Sequence, residues 1–120
     1  MTASSPARSR ATIVAHVREV LDRVPRRITH AVLFGSVARN EHSPTSDVDV
    51  IVVSPDFEGI AGARRGRPFR DAWDYEQYGS VDFIGYTPAE YATARERTES
   101  LIRTAEQEGI DLLDSVSPAT

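Results

Sequence analysis

The chain of 120 residues contains no cysteine, which excludes disulfides, thiolate metal sites and a cysteine nucleophile together. Lysine is also missing: all 14 basic residues are arginine, a bias that carries no functional conclusion by itself. No apolar run approaches the roughly 18 residues of a membrane-spanning helix, and the polar opening MTASSPARSRAT has no hydrophobic signal core. By elimination the expectation is a soluble cytoplasmic protein with no membrane partner. A net charge of −4 and a pI near 5.3 argue against general nucleic-acid binding, which favours basic chains. There is no internal repeat, no Walker loop (G-K-[ST] does not occur) and no G-x-G-x-x-G. Hydrophobic residues make up 40% of the chain, slightly below the usual ~45–50%, enough for one modest core in a single domain.

What is present has a clear order. A polar tail (1–10) and a short C-terminal tail (115–120) are expected to flank one domain over 11–114. Ile13, Val14, Val17, Val20, Leu21 and Val24 recur at helical spacing, so a helix is expected over about 9–24, stopped by Pro25. ITHAVLF, DVDVIVV and SVDFIGY read as strands over 28–34, 47–53 and 80–86. VARNE after Gly35-Ser36 is long enough for one or two helical turns, HSPTS is a loop, and a helix is expected from about Pro68. TPAE at 87–90 is a capping box, with Thr87 as N-cap, Pro88 in the first helical position and Glu90 in the third. The helix it starts is expected to carry Tyr91, Ala94, Leu101, Ile102 and Ala105 and to stop at Gly109 in a left-handed conformation, before a last short strand in IDLLD. Helices and strands alternate, giving an α/β (α+β) fold with a small mixed sheet flanked by helices.

Two aspartates at the mouth of a Val/Ile strand demand an explanation. Residues i and i+2 of a strand share a face, so Asp47 and Asp49 point the same way and Val48 the other. Two carboxylates ~5–6 Å apart repel by about 3 kcal/mol at an effective dielectric of about 20, and burial adds a desolvation cost. A divalent cation would offset both, since Mg²⁺ prefers carboxylate oxygens and retained waters. The plainer reading makes Asp47 a cap of the HSPTS turn and Asp49 an exposed strand end. Upstream, LFGS runs a hydrophobic strand into Gly-Ser, where a glycine backbone and turn N–H groups favour phosphate oxygens and the Ser36 hydroxyl can add a hydrogen bond.

GSVARNEHSPTSDVDVIVV resembles the G-S-x-A-R-G-x(5–6)-S-D-x-D-[LIV] signature of the minimal nucleotidyltransferases, in the DNA polymerase beta superfamily. Asp82 in SVDFIGYTPAEY and the terminal EGIDLLD extend the similarity over roughly 28–114. The resemblance implies a nucleotidyltransferase fold and transfer of a nucleoside monophosphate, with AMP the first expectation, from ATP or another NTP to an acceptor hydroxyl. It implies that Gly35 and Ser36, with Arg39 and Ser46, bind the nucleotide. It further implies that Asp47, Asp49 and Asp82 are catalytic and hold two Mg²⁺ ions, which Mn²⁺ can replace, Asp82 also helping to deprotonate the acceptor. Minimal members often pair as antitoxins with small helical HEPN-type proteins, some modifying a tyrosine of the toxin, so such a partner is an expectation here. A homo-oligomer is another, because no separate acceptor domain is evident. Alternatives are a non-catalytic nucleotide- or toxin-binding module and an antibiotic-modifying enzyme. One departure stands out: Asn40 replaces the usual Gly, and Asn tolerates positive φ better than most residues.

Outside the signature, Arg64, Arg65, Arg67 and Arg70 form a basic cluster that reads as a solvated loop before it reads as a contact for nucleotide, nucleic acid or an acidic partner. Trp73, Tyr75 and Tyr78 are more easily core packing than base-stacking residues. Arg39 suits a surface ion pair as well as a phosphate. His42 is expected to be solvated, and His16 and His30 have no motif context.

Overall fold

The computed structural model describes residues 8–97 and 100–113; the expected tails lie largely or wholly outside them. Helix α1 (Arg10–Arg23) begins where Ser9 accepts a hydrogen bond from the Thr12 N–H and ends at Val24, just before Pro25. Strands β1 (His30–Phe34) and β2 (Val48–Val53) pair antiparallel, with Phe34 opposite Asp49. A 3₁₀ turn (Pro55–Phe57) and three short helices follow: α2 (Gly62–Arg65), α3 (Arg67–Asp71) and α4 (Tyr75–Tyr78). They form the crossover to β3 (Val81–Tyr86), which runs parallel to β2 and sets Asp82 opposite Asp49. Helices α5 (Pro88–Arg95) and α6 (Leu101–Glu108) then lead to the two-residue strand β4 (Ile110–Asp111), antiparallel to β1. The sheet order is β3-β2-β1-β4, the expected small mixed sheet with helices.

Alternation along β2 divides the core into two layers. Val48, Val50 and Val52 face α1 and pack with Leu33, Phe57, Phe69, Trp73 and Phe83. Ile51 and Val53 face the other way, against Val32, Phe34, Tyr91, Ile102 and Ala105 beneath α5 and α6. Asp49 lies on this second face, one step beyond Ile51 at the start of the strand.

Several sequence expectations change. The helix expected from 87 to 109 is two helices. The first ends at Arg95, with Glu96 as its C-cap, and Ser100 opens the second by accepting the Arg103 N–H. Ser, Thr and Glu crowd this junction, and Ser and Thr side chains compete for backbone hydrogen bonds, favouring caps over helix interiors. Gly109 has φ −85° and ψ 174°, extended and not left-handed. What requires glycine there is space: a Cβ would collide with the Ala105 carbonyl oxygen of its own helix and lie 2.5 Å from Val32 Cγ1 and 2.8 Å from the Leu33 carbonyl oxygen. The helix expected from Pro68 is broken into α3 and α4, while β1, β2 and β3 all begin later than expected, at His30, Val48 and Val81, so that Asp47 precedes its strand.

Of the two histidines without motif context, His16 turns out to be structural. His16 is buried, stacked on Tyr78 with centroids 4.3 Å apart and tilted against Trp73. Its Nε2 accepts the Asp74 backbone N–H at 3.1 Å, so the ring proton sits on Nδ1, 3.1 Å from Glu19. The ring thereby docks α4 onto α1. Trp73 is core, as its position suggested, and donates its indole N–H to the Gly79 carbonyl. Tyr75 is 48% exposed and does not join it. His42 is not simply solvated: its Nε2 donates to the Arg8 carbonyl.

Candidate active site

Three strand ends meet at one edge of the sheet. β1 arrives there with its C-terminus, while β2 and β3 start there, so the Gly35-Ser36 turn, Asp47, Asp49 and Asp82 converge from separate parts of the chain. Gly35 has φ +80°, a conformation that disfavours any residue with a Cβ. It also lies directly under a carboxylate: a Cβ built on it would stand 2.5 Å from Asp49 Oδ2. Two independent constraints therefore select glycine here.

The turn beyond it is a single helical loop, not a helix. The Arg39 N–H reaches the Gly35 carbonyl at 3.1 Å, and the Glu41 N–H reaches the Ser36 carbonyl at 2.8 Å. Asn40 has φ +59°, the sole non-glycine residue with positive φ among those described. The departure from the family pattern thus falls where Asn substitutes well for Gly, and the turn keeps its shape.

Asp49 is half-buried, whereas Asp47 and Asp82 are exposed. Burial, then repulsion by Asp82 and by Asp47, pushes the Asp49 carboxyl above the ordinary aspartate range, against a smaller attraction from Arg39. Asp49 therefore senses both of the other carboxylates, as expected of a site that gathers negative charge. Among the described residues, no three His, Asp or Glu side chains close around a single point at ligating distance. Mg²⁺ does not require this, because it is usually held by one or two carboxylates, waters and substrate phosphates. The donor set suits it: hard oxygen ligands of like charge, one partly desolvated, beside a glycine turn that a bulkier residue would obstruct.

The other sequence candidates are distributed unevenly. Arg39 lies close enough to attract Asp49, but its guanidinium is engaged by Glu41 at 2.9 Å and by Glu108, at the end of α6, at 3.0 Å. Nothing in the sequence motif pointed to Glu108. Ser46 is engaged in the turn before β2, where its hydroxyl accepts the Ser43 N–H at 2.9 Å. It also lines a cavity of about 240 Å³ with Val48, Val37, His42, Tyr75 and Tyr78. Since Ser46 and Val48 alternate with Asp47, that cavity lies behind the strand, and none of the three aspartates borders it.

Arg65 is a structural residue. It forms a two-pronged pair with Glu90 and donates to the Ile60 and Gly85 carbonyls, tying α2 to the capping box of α5. Arg64 and Arg67 remain exposed.

Comparison with known proteins bears on the fold and the family. Among solved structures, a candidate nucleotidyltransferase from Sulfolobus solfataricus superposes with a TM-score of 0.57 at 19% identity, over 85% of this chain and 80% of that one. At that identity the likeness is one of fold. No curated protein matches the chain. A family model for the nucleotidyltransferase domain matches residues 14–112, from the middle of α1 to just past β4. The chain belongs to the nucleotidyltransferase domain family.

Proposed function

We propose that the protein is a divalent-metal-dependent nucleotidyltransferase that moves a nucleoside monophosphate, with AMP as the leading candidate, from a nucleoside triphosphate to an acceptor hydroxyl. The single observation that carries this reading is the Asp49 carboxylate, half-buried over Gly35 and opposite Asp82 in the parallel β2–β3 pair. A like-charge cluster beside a glycine turn has a purpose where phosphate and cation are to be bound, and is a liability elsewhere.

In this reading the Gly35-Ser36 turn supports the β- and γ-phosphates, and Arg39 adds positive charge once a phosphate competes with its glutamates. Asp82 takes the proton of the acceptor hydroxyl. The freed oxygen bonds to the α-phosphorus, the bond from that phosphorus to the bridging oxygen breaks, and pyrophosphate leaves with the electron pair. Divalent cations, held by Asp47, Asp49 and Asp82, would supply neutralisation of the phosphate charge. The sequence resemblance favours a hydroxyl on a partner protein, with a HEPN-type helical protein as the first candidate.

The test separates binding from chemistry. Calorimetry should detect ATP binding with Mg²⁺ or Mn²⁺ and lose it in excess EDTA; equal affinity in EDTA would sink the reading. Asp82→Asn should keep Mg·ATP affinity within several-fold while slowing single-turnover transfer from α-labelled ATP by about 10²–10⁴-fold. A mutant that transfers label at more than about a tenth of the wild-type rate would remove Asp82 from the catalytic set.

A further inference from the structure

Arg39 stands between two glutamates that differ in kind. Its Nε donates to Glu41 at 2.9 Å and its Nη1 to Glu108 at 3.0 Å, while Nη2 makes no hydrogen bond among the described residues. Arg39 also belongs to the turn beside the carboxylates. Its backbone N–H reaches the Gly35 carbonyl at 3.1 Å, and its charge attracts Asp49. The guanidinium is thus held by two of its three nitrogens at the edge of the site, with a pair of N–H donors left over.

Glu41 lies in the same turn, two residues on, with its backbone N–H bonded to the Ser36 carbonyl. Its side chain is 65% exposed, so its bond to Arg39 joins the turn only to itself and is open to water. Glu108 comes from a separate element. Its side chain is 29% exposed, and it is the last residue of α6, a helix that buries Ile102 and Ala105 against the sheet. Directly after it, Gly109 is pressed against Val32 and the Leu33 carbonyl, and Ile110 pairs with Leu33. The Glu108 carboxylate is therefore carried on backbone fixed to β1, the strand that leads into Gly35. An ion pair gains more where its partner is held in place and partly screened from water, because less side-chain entropy is lost and the local dielectric is lower.

We propose that Glu108 is a positioning residue for nucleotide binding: it anchors the Arg39 guanidinium beside the Gly35-Ser36 turn, while Glu41 is the exchangeable partner that a triphosphate displaces. This rests on the nucleotidyltransferase reading, which assigns Arg39 to the phosphates. Once Glu41 is displaced, the Nε–H and the adjacent Nη2–H form a side-on fork that fits phosphate oxygens. Arg27 uses the same two nitrogens to hold Asp56. Glu108, on Nη1, lies outside that fork and keeps its place.

The test separates the two glutamates by sign. Removing either one deletes a negative charge near the site, so charge alone would tighten Mg·ATP binding in both cases. Calorimetry on the full chain should instead show Glu41→Ala binding Mg·ATP about twofold tighter and Glu108→Ala about threefold weaker, within the range of one ion pair. Glu108→Gln keeps an acceptor for Nη1 and should recover most of that loss. Arg39→Gln should weaken binding by about tenfold, and adding Glu108→Ala to it should change nothing further. A second readout needs neither metal nor nucleotide. The NMR signal of the Arg39 Nε–H, identified by its absence in Arg39→Gln, should exchange with water faster in Glu108→Ala than in wild type. Unchanged or tighter binding in Glu108→Ala, no recovery with glutamine, or an effect that persists without Arg39 each overturns the proposal. So does Glu41→Ala binding no tighter than wild type, Arg39→Gln binding as well as wild type, or an unaltered Nε–H exchange. Each of these leaves the nucleotidyltransferase reading standing. If the wild type itself binds no Mg·ATP, that reading fails and the proposal falls with it.

Discussion

Replacing Gly35 by alanine tests the geometry on which the site depends. Two separate penalties apply. The φ of +80° places an alanine in the left-handed region, at a cost of about 1–2 kcal/mol. The new Cβ would stand 2.5 Å from Asp49 Oδ2, so the carboxylate must rotate away, at about 0.5–1.5 kcal/mol for an off-rotamer side chain. Alanine also restricts the unfolded chain, which returns up to ~1 kcal/mol. The net expectation is a loss of about 1–3 kcal/mol in urea denaturation of the metal-free protein, equivalent to a Tm lower by roughly 3–12 °C for a domain of this size. A double-mutant cycle separates the two penalties. In an Asp49→Ala background the contact is gone, so Gly35→Ala should cost less by about 0.5–1.5 kcal/mol. An identical cost in both backgrounds would mean that Asp49 does not lie over Gly35. No cost in either would mean that the backbone there is not held at positive φ.

Three further outcomes follow from the same structure. The folded-state pKa of Asp49 is raised, by burial first and then by Asp82 and Asp47. Its charge therefore opposes folding, and the stability it contributes below its unfolded pKa is lost as pH rises through the higher folded value. Metal-free Asp49→Asn should accordingly be more stable than wild type at pH 7, with the gap closing below about pH 4; a destabilised mutant at pH 7 would show that the carboxylate is a structural anchor. His16→Ala removes a ring held between Trp73 and Tyr78 and leaves the Asp74 N–H without its acceptor. A loss of about 2–4 kcal/mol by denaturant titration is expected, and a loss under about 0.5 kcal/mol would contradict the docking role. Thr87→Ala breaks the capping box that Thr87 shares with Glu90, and should cost about 1 kcal/mol, read as a lower Tm with Mg·ATP affinity unchanged.

The parts legible in the sequence were those encoded by local rules. The strand that carries Asp49, the positive-φ Gly35 turn and the Thr87 capping box each depend on neighbours in sequence, and each is present. Asn40 could be assigned to a positive-φ turn because that tolerance is intrinsic to the residue. Most failures involve partners distant along the chain. Gly109 does stop α6, as read, but its conformation is extended, and the room for a side chain is taken by Val32 and Leu33 of β1 as well as by the Ala105 carbonyl of its own helix. One miss is local: Ser100 opens α6 as its N-cap and so divides the helix read over 87–109. The engagement of Arg39 with Glu108, of His16 with Asp74 and of His42 with Arg8 has no local signature, because each joins segments that only the finished fold brings together. Ser46 belongs to the signature, and its hydroxyl is occupied by the Ser43 N–H in the turn before β2.

The pairing of Asp49 with Asp82 has a consequence for the order in which the protein can become competent. β1 and β2 are antiparallel and close in sequence, so their ladder can form early, bringing Gly35 under Asp49. β3 is parallel to β2, and a parallel partner cannot be reached by a hairpin; it needs the long crossover through α2, α3 and α4. Closing that connection costs chain entropy before its contacts form, which makes it a slow step. During synthesis the ribosome releases Asp47 and Asp49 well ahead of Asp82. A nascent or partly refolded chain can therefore hold the first two carboxylates in place while the third is still unattached. Appearance of the complete cluster then reports the arrival of β3, and should lag behind most of the helical and hairpin signal in a refolding experiment.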